Sequence, residues 1–95
     1  MEFHPKLKLA VALKYRVKED SAPVVVATGR GAMAESLLKK AKDLDIPIHP
    51  DGELAQMLSE VEVGNSIPEE LYEVVAQIMA LIYRMDSALS GNLRE

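Results

Sequence analysis

The 95-residue chain contains no cysteine. That excludes disulfides, thiolate metal sites and thiol nucleophiles. It has no tryptophan, and Phe3 is its one phenylalanine. With the basic residues spread out and the net charge at −4, nucleic-acid binding is not the expectation. No apolar run approaches the ~20 residues needed to cross a bilayer. The opening residues lack the long apolar stretch of a signal peptide, so no direct membrane insertion is expected. Only two histidines occur, His4 and His49, each beside a proline. They lack the spacing of a metal-binding pair, and no metal site is expected. Neither stands near a serine arranged as a nucleophile, and no set of groups assembles an acid, a base and a dry pocket. The chain is not expected to be an enzyme or to carry a cofactor.

What is present fits one domain spanning residues 1–95, large enough for a single core of two or three layers. The charge is unevenly laid out. Residues 1–42 hold nine Lys or Arg and four Asp or Glu, a balance of +5; residues 43–95 hold two and eleven, a balance of −9. Two solvated faces of opposite sign account for this. A docking surface that uses one pole, or self-association between the poles, is the sharper reading.

The segment KLKLAVALKYRVK (Lys6 to Lys18) alternates with period two. Leu7, Leu9, Val11, Leu13, Tyr15 and Val17 share one parity, which predicts a strand with one apolar face. Its other face is basic at the ends and small at Ala10 and Ala12, leaving room for a helix across it. After the turn-like KEDSAP, the apolar VVVA run predicts a second, buried strand, antiparallel to the first because the connection is short. Met33, Leu37, Leu38, Ala41 and Leu44 recur at helical spacing. Residues 46–50 (IPIHP) predict a third strand, joined by a right-handed crossover and so parallel to its neighbour. Asp51 is placed to cap a short helix carrying Leu54, Met57, Leu58 and Val61. Ser66 and Glu69 have the spacing of a capping box before a long helix from about Pro68 to Leu89, with an apolar stripe of Leu71, Val74, Val75, Ile78, Ile82, Met85 and Leu89. The expected fold is α/β: a small mixed sheet of three to four strands, an antiparallel first pair, a parallel crossover and about three helices. Residues 1–5 and 90–95 are expected to be flexible.

Gly29-x-Gly31-x-x-Ala34, between a strand and a helix, has the layout of a phosphate-binding turn. Asp51 follows at the distance of a ribose-binding acid. Against that reading, a dinucleotide fold needs more parallel strands than 95 residues supply. The same glycines also permit a tight turn and close packing of helix on strand. A small phosphate- or nucleotide-binding protein using Gly29 to Gly31 is the alternative function.

Four segments, in order, carry a resemblance: AVALKY (Ala10 to Tyr15), APVVVATGRG (Ala22 to Gly31), IPIHPDGELAQML (Ile46 to Leu58) and VEVGNSIPEELYEVVAQIMALIYRM (Val61 to Met85). Together they resemble the cytoplasmic domain of the FlhB/EscU type, the substrate-specificity switch of flagellar and virulence type III secretion. The resemblance covers most of residues 9–86. It implies an N-terminal membrane domain, which has no counterpart here. It also implies an Asn-Pro-Thr-His motif before the first strand, whose Asn side chain attacks its own carbonyl and cuts the chain. Counted back from Ala10, that motif falls on Pro5, Lys6, Leu7 and Lys8, and none matches. A shift by one pairs Pro5 with the family proline but puts His4 in place of the Asn. The asparagines of this chain are Asn65 and Asn92, neither followed by proline.

What the resemblance implies is a free-standing, non-cleaving module acting by protein–protein binding in export or its switching. The expected partners are export-apparatus proteins: the membrane-anchored part of a full switch protein, other export-gate domains, or export substrates. The expected location is cytoplasmic, peripheral at the membrane export gate. With little chain before it, the first strand is expected to keep a lightly protected edge, which either stays simply solvated or takes an added strand from another chain. Its cations discourage indiscriminate pairing. The candidate contact residues are Lys6, Lys8, Lys14, Arg16 and Lys18 along the strand, and Arg30 at the glycine turn.

Overall fold

The computed structural model describes residues 8–16 and 18–82. The alternating segment forms β1 (Leu9–Lys14), and the apolar run after Pro23 forms β2 (Val24–Arg30). They pair antiparallel, with Leu9 opposite Arg30 at one end and Lys14 opposite Val24 at the other. Ala12 faces Ala27 while Leu13 faces Val25, so Val26 is an extra residue in β2. This bulge shifts the alternation of β2 by one. Val25 and Thr28 thereby join Leu13 and Val11 on one face, and Ala27 and Gly29 join Ala12 and Ala10 on the other. Val25 is fully buried, whereas Val26 stays 46% exposed.

The two faces have different covers. Lys8, of the same parity as Ala10 and Ala12, reaches Glu35 of α1 (Ala32–Asp43). Gly29, on that same face, lies against the backbone of Met33 and Ala34, also in α1. Helix α1 therefore covers the alanine–glycine face. The other face carries the core, where Val11, Leu13 and Val25 meet Leu54 and Leu58 of α2 (Gly52–Leu58) together with Ile67, Leu71 and Val75. Asp51 caps α2 as its position predicts, accepting the Leu54 N–H at 3.1 Å. A single 3-10 turn, Glu69–Leu71, leads into helix α3 over residues 72–82. Among the described residues no helix is long and apolar enough to cross a membrane.

The α/β class, the antiparallel pair and three helices match the sequence reading; several details do not. Among the described residues the sheet has two strands. Residues 46–50 form no regular element, and Ile46 and Ile48 are 53% and 40% exposed. The parallel crossover is therefore not formed. Helix α1 ends instead in a Schellman-type pair of bonds: the Asp45 N–H donates to the Lys42 carbonyl, and the Ile46 N–H to the Ala41 carbonyl. Asp45 sits at φ 58. Ser66 does not cap the last helix. It bridges to Val24 on β2, and Pro68 occupies the cap without a side-chain bond. The buried residue of α1 is Ala34, while Met33 and Leu44 face water. Val74 is likewise exposed on α3. Met85 and Leu89 lie outside the described residues.

Candidate partner-binding edge of the sheet

Buried or not, each backbone N–H and C=O of a strand needs a partner, in the protein or in water. The Gly31 N–H donates to the Lys8 carbonyl at 2.8 Å. In an antiparallel ladder this fixes the phase. Ala10 and Ala12 turn their backbone groups toward β2; Leu9, Val11 and Leu13 turn theirs away. Among the described residues, no backbone bond reaches those three from the outer side. The opposite edge of the sheet is dressed around Val25. The Val25 N–H donates to Asn65 at 2.9 Å, the Gly64 N–H donates to Val25 at 2.7 Å, and the Ile67 N–H donates to Pro23 at 2.9 Å. Among the described residues, the outer edge of β1 is thus the part of the sheet open to pairing. Its side chains are already anchored, because Val11 and Leu13 pack on the core.

The candidate cations do not form one patch. Lys8 and Arg30 lie at one end of the hairpin and Lys14, Arg16 and Lys18 at the other. Three of them are engaged. Lys8 pairs with Glu35 at 3.3 Å. Arg30, brought by the bulge to the α2 side, donates to the Ser59 hydroxyl at 3.3 Å. Arg16 clamps its own loop: its backbone N–H donates to the Asp20 carboxylate at 2.9 Å, and its guanidinium reaches Glu19 and Asp20. The Arg16 backbone bond, followed by the side-chain bond, holds the Asp20 carboxyl below its ordinary range. Lys14 and Lys18 are exposed and carry no side-chain ion pair among the described residues. Pro5, Lys6 and Leu7 lie outside the described residues. Sequence reasoning missed Ser59 and residues 64–67 as structural partners. The first sits in a helix end with no motif, and the second reads only as a turn.

The glycine turn does not form a phosphate cradle. The Gly31 N–H is taken by Lys8, and the space beside Gly29 is filled by the Met33 carbonyl group, 2.8–2.9 Å from where a Cβ would sit. Gly29 serves the close approach of α1 to β2, and Gly31 makes the turn between them at φ 57.

Comparison with known proteins bears on what this edge belongs to. The sequence profile of the FlhB HrpN YscU SpaS family matches residues 6–82. The chain belongs to that family. A relative of similar length is the uncharacterized protein YlqH of Bacillus subtilis, 39% identical over 91 residues, with 96% of this chain and 98% of YlqH covered. The flagellar biosynthetic protein FlhB of Aquifex aeolicus is 43% identical over 75 residues, covering 78% of this chain but 21% of FlhB. This chain therefore spans about a fifth of the FlhB protein it matches. In structure it is similar to a mutated EscU C-terminal domain, with a TM-score of 0.76, 34% identity, and coverage of 79% of this chain and 92% of the other. The FlhB-family fold, seen in EscU as a C-terminal domain, is the fold described above.

Proposed function

We propose that this chain is a non-cleaving, FlhB-like binding module of the flagellar or type III protein export apparatus. It acts by adding a strand from a partner to the outer edge of β1. Family membership over residues 6–82 supports the export context. The observation that carries the binding mode is the row of outward backbone groups at Leu9, Val11 and Leu13, held on a strand whose side chains are fixed in the core. Main-chain hydrogen bonds supply affinity in such pairing, and side-chain pockets supply selectivity.

Cleavage of the kind the family resemblance implies needs a carboxamide one bond before a proline. Here Asn65 precedes Ser66 and Asn92 precedes Leu93. With no asparagine before a proline, the polypeptide is expected to stay whole. Its partners are export-apparatus proteins, including the membrane-anchored part of a full switch protein, and its place is at the cytoplasmic side of the export gate.

A pull-down with this chain as bait, against the membrane-side part of a full switch protein from the same cell, tests the reading. Retention is expected, and a proline at position 11 abolishes it, because the outward N–H of Val11 is lost. Failure to retain any export component, or retention unchanged by that proline, would contradict it. For the alternative, thermal unfolding with and without nucleotides is expected to show no shift; a rise in midpoint with any of them would revive the glycine turn as a site.

A further inference from the structure

The edge that the strand-addition reading relies on is bracketed by like charges. Lys8 and Lys14 stand six residues apart, roughly 20 Å along an extended chain. They share the face of Ala10 and Ala12, and Val11 lies midway between them. In antiparallel pairing, residues directly opposite have their side chains on the same face, and like charges there are destabilising. A second copy of β1, paired about Val11 to use all the outward groups of Leu9, Val11 and Leu13, sets Lys8 against Lys14 of the other copy, twice. Sliding that pairing by two residues, to centre on Ala12, sets Lys8 against Arg16 instead. The edge is thus built against itself.

We infer that the β1 edge selects an extended partner segment with carboxylates six residues apart and apolar residues at the three positions facing Leu9, Val11 and Leu13. This inference rests on the strand-addition reading and specifies its partner. The apolar requirement follows from the core side of β1. Leu13 and Val11 pack there on the buried cluster, so a neighbouring strand must continue that face. The carboxylate requirement follows from the two lysines. Lys14 is exposed, and among the described residues Lys8 is shared only with the equally exposed Glu35 at 3.3 Å. An ammonium has three donors and can hold a second carboxylate. The spacing makes the recognition a register device as well. Displacing the partner by two residues in either direction sets one of its carboxylates opposite Ala10 or Ala12 in place of a lysine while leaving the main-chain ladder intact.

Fluorescence anisotropy with the full chain and three labelled peptides tests this. The peptides share one alternating apolar core and differ in their end residues: Glu at both, Gln at both, or Lys at both. The Glu-ended peptide is expected to bind tightest, and the Lys-ended one about 5- to 10-fold weaker than it. The gap should narrow as salt is raised, and the order should reverse in the Lys8→Glu/Lys14→Glu variant. Equal affinity for all three would overturn the inference while leaving strand addition standing. Binding of none would remove the strand-addition reading itself. Sedimentation covers the remaining occupant. The unaltered chain is expected to be monomeric, and Lys14→Glu, which turns both repelling pairs of the self-register into attracting ones, to self-associate more strongly. A stable dimer of the unaltered chain that Lys14→Glu weakens would also overturn the inference.

Discussion

A methyl group on Gly29 has nowhere to go. Its Cβ would lie 2.8 Å from the Met33 carbonyl carbon and 2.9 Å from the oxygen, and neither is a side chain that can turn aside. Gly29→Ala is expected to cost about 1–3 kcal/mol by forcing α1 off β2, measured by urea unfolding; a cost below about 0.5 kcal/mol would show that the helix start yields freely. Asp45 presents the opposite case. Its φ of 58 is a left-handed position filled by a residue that bears a Cβ. Asp45→Gly is expected to raise stability by about 1 kcal/mol, seen as a higher urea midpoint at unchanged slope. Asp20 supplies a pH prediction. The bonds from Arg16 hold its folded-state pKa below the ordinary aspartate value. The folded chain therefore binds fewer protons at this site than the unfolded one. That contribution is complete above about pH 4 and is lost as pH falls through the depressed folded value. The stability gap between the unaltered chain and Asp20→Asn should close on acidification. A gap that stays constant from about pH 7 to about pH 3 would contradict the clamp.

At the scale of elements, what the sequence declares is local. The alternation of Leu9, Val11 and Leu13, the cap at Asp51 and the 3.6 spacing of Leu71, Val75 and Ile78 each depend on neighbours within a turn or two, and each forms as the pattern dictates. What fails depends on distant chain. Residues 46–50 alternate like a strand, but a strand exists only where a neighbour pairs with it, and none does among the described residues. Ser66 has the sequence of a cap and the position of a sheet partner, and the bond to β2 wins. The bulge at Val26 is hidden because three valines in a row look alike, although only one is fully buried. The candidate cations were legible as a strand's basic face. Their division into two ends, and the use of Arg16 and Arg30 as structural clamps, required the fold. One comparison tests this division of labour. Ile67→Ala, in the core at 2% exposure, is expected to cost about 2–5 kcal/mol. Ile48→Ser, at 40% exposure, is expected to stay within about 0.5 kcal/mol of zero. A large cost at Ile48 would mean that residues 46–50 pack after all.

At the scale of the molecule, a small core clamps a two-stranded sheet on one face and α1 clamps it on the other, while one side of β1 keeps its backbone groups unpaired among the described residues. The proposed binding along the edge uses this open side, and the proposal that the chain does not cut itself rests on the sequence, where no asparagine precedes a proline. Mass spectrometry of purified protein after prolonged incubation should find one chain; two fragments separated near residue 5 would contradict the non-cleaving reading. The most direct test of the account is amide hydrogen exchange at Leu9, Val11 and Leu13, read residue by residue with and without the proposed switch-protein partner. The account predicts fast exchange at all three in the free chain, slow exchange at Ala10 and Ala12, and strong slowing at the three outward amides once the partner is bound. Protection of the outward amides in the free monomer, or a bound complex that leaves them exchanging freely, would contradict it.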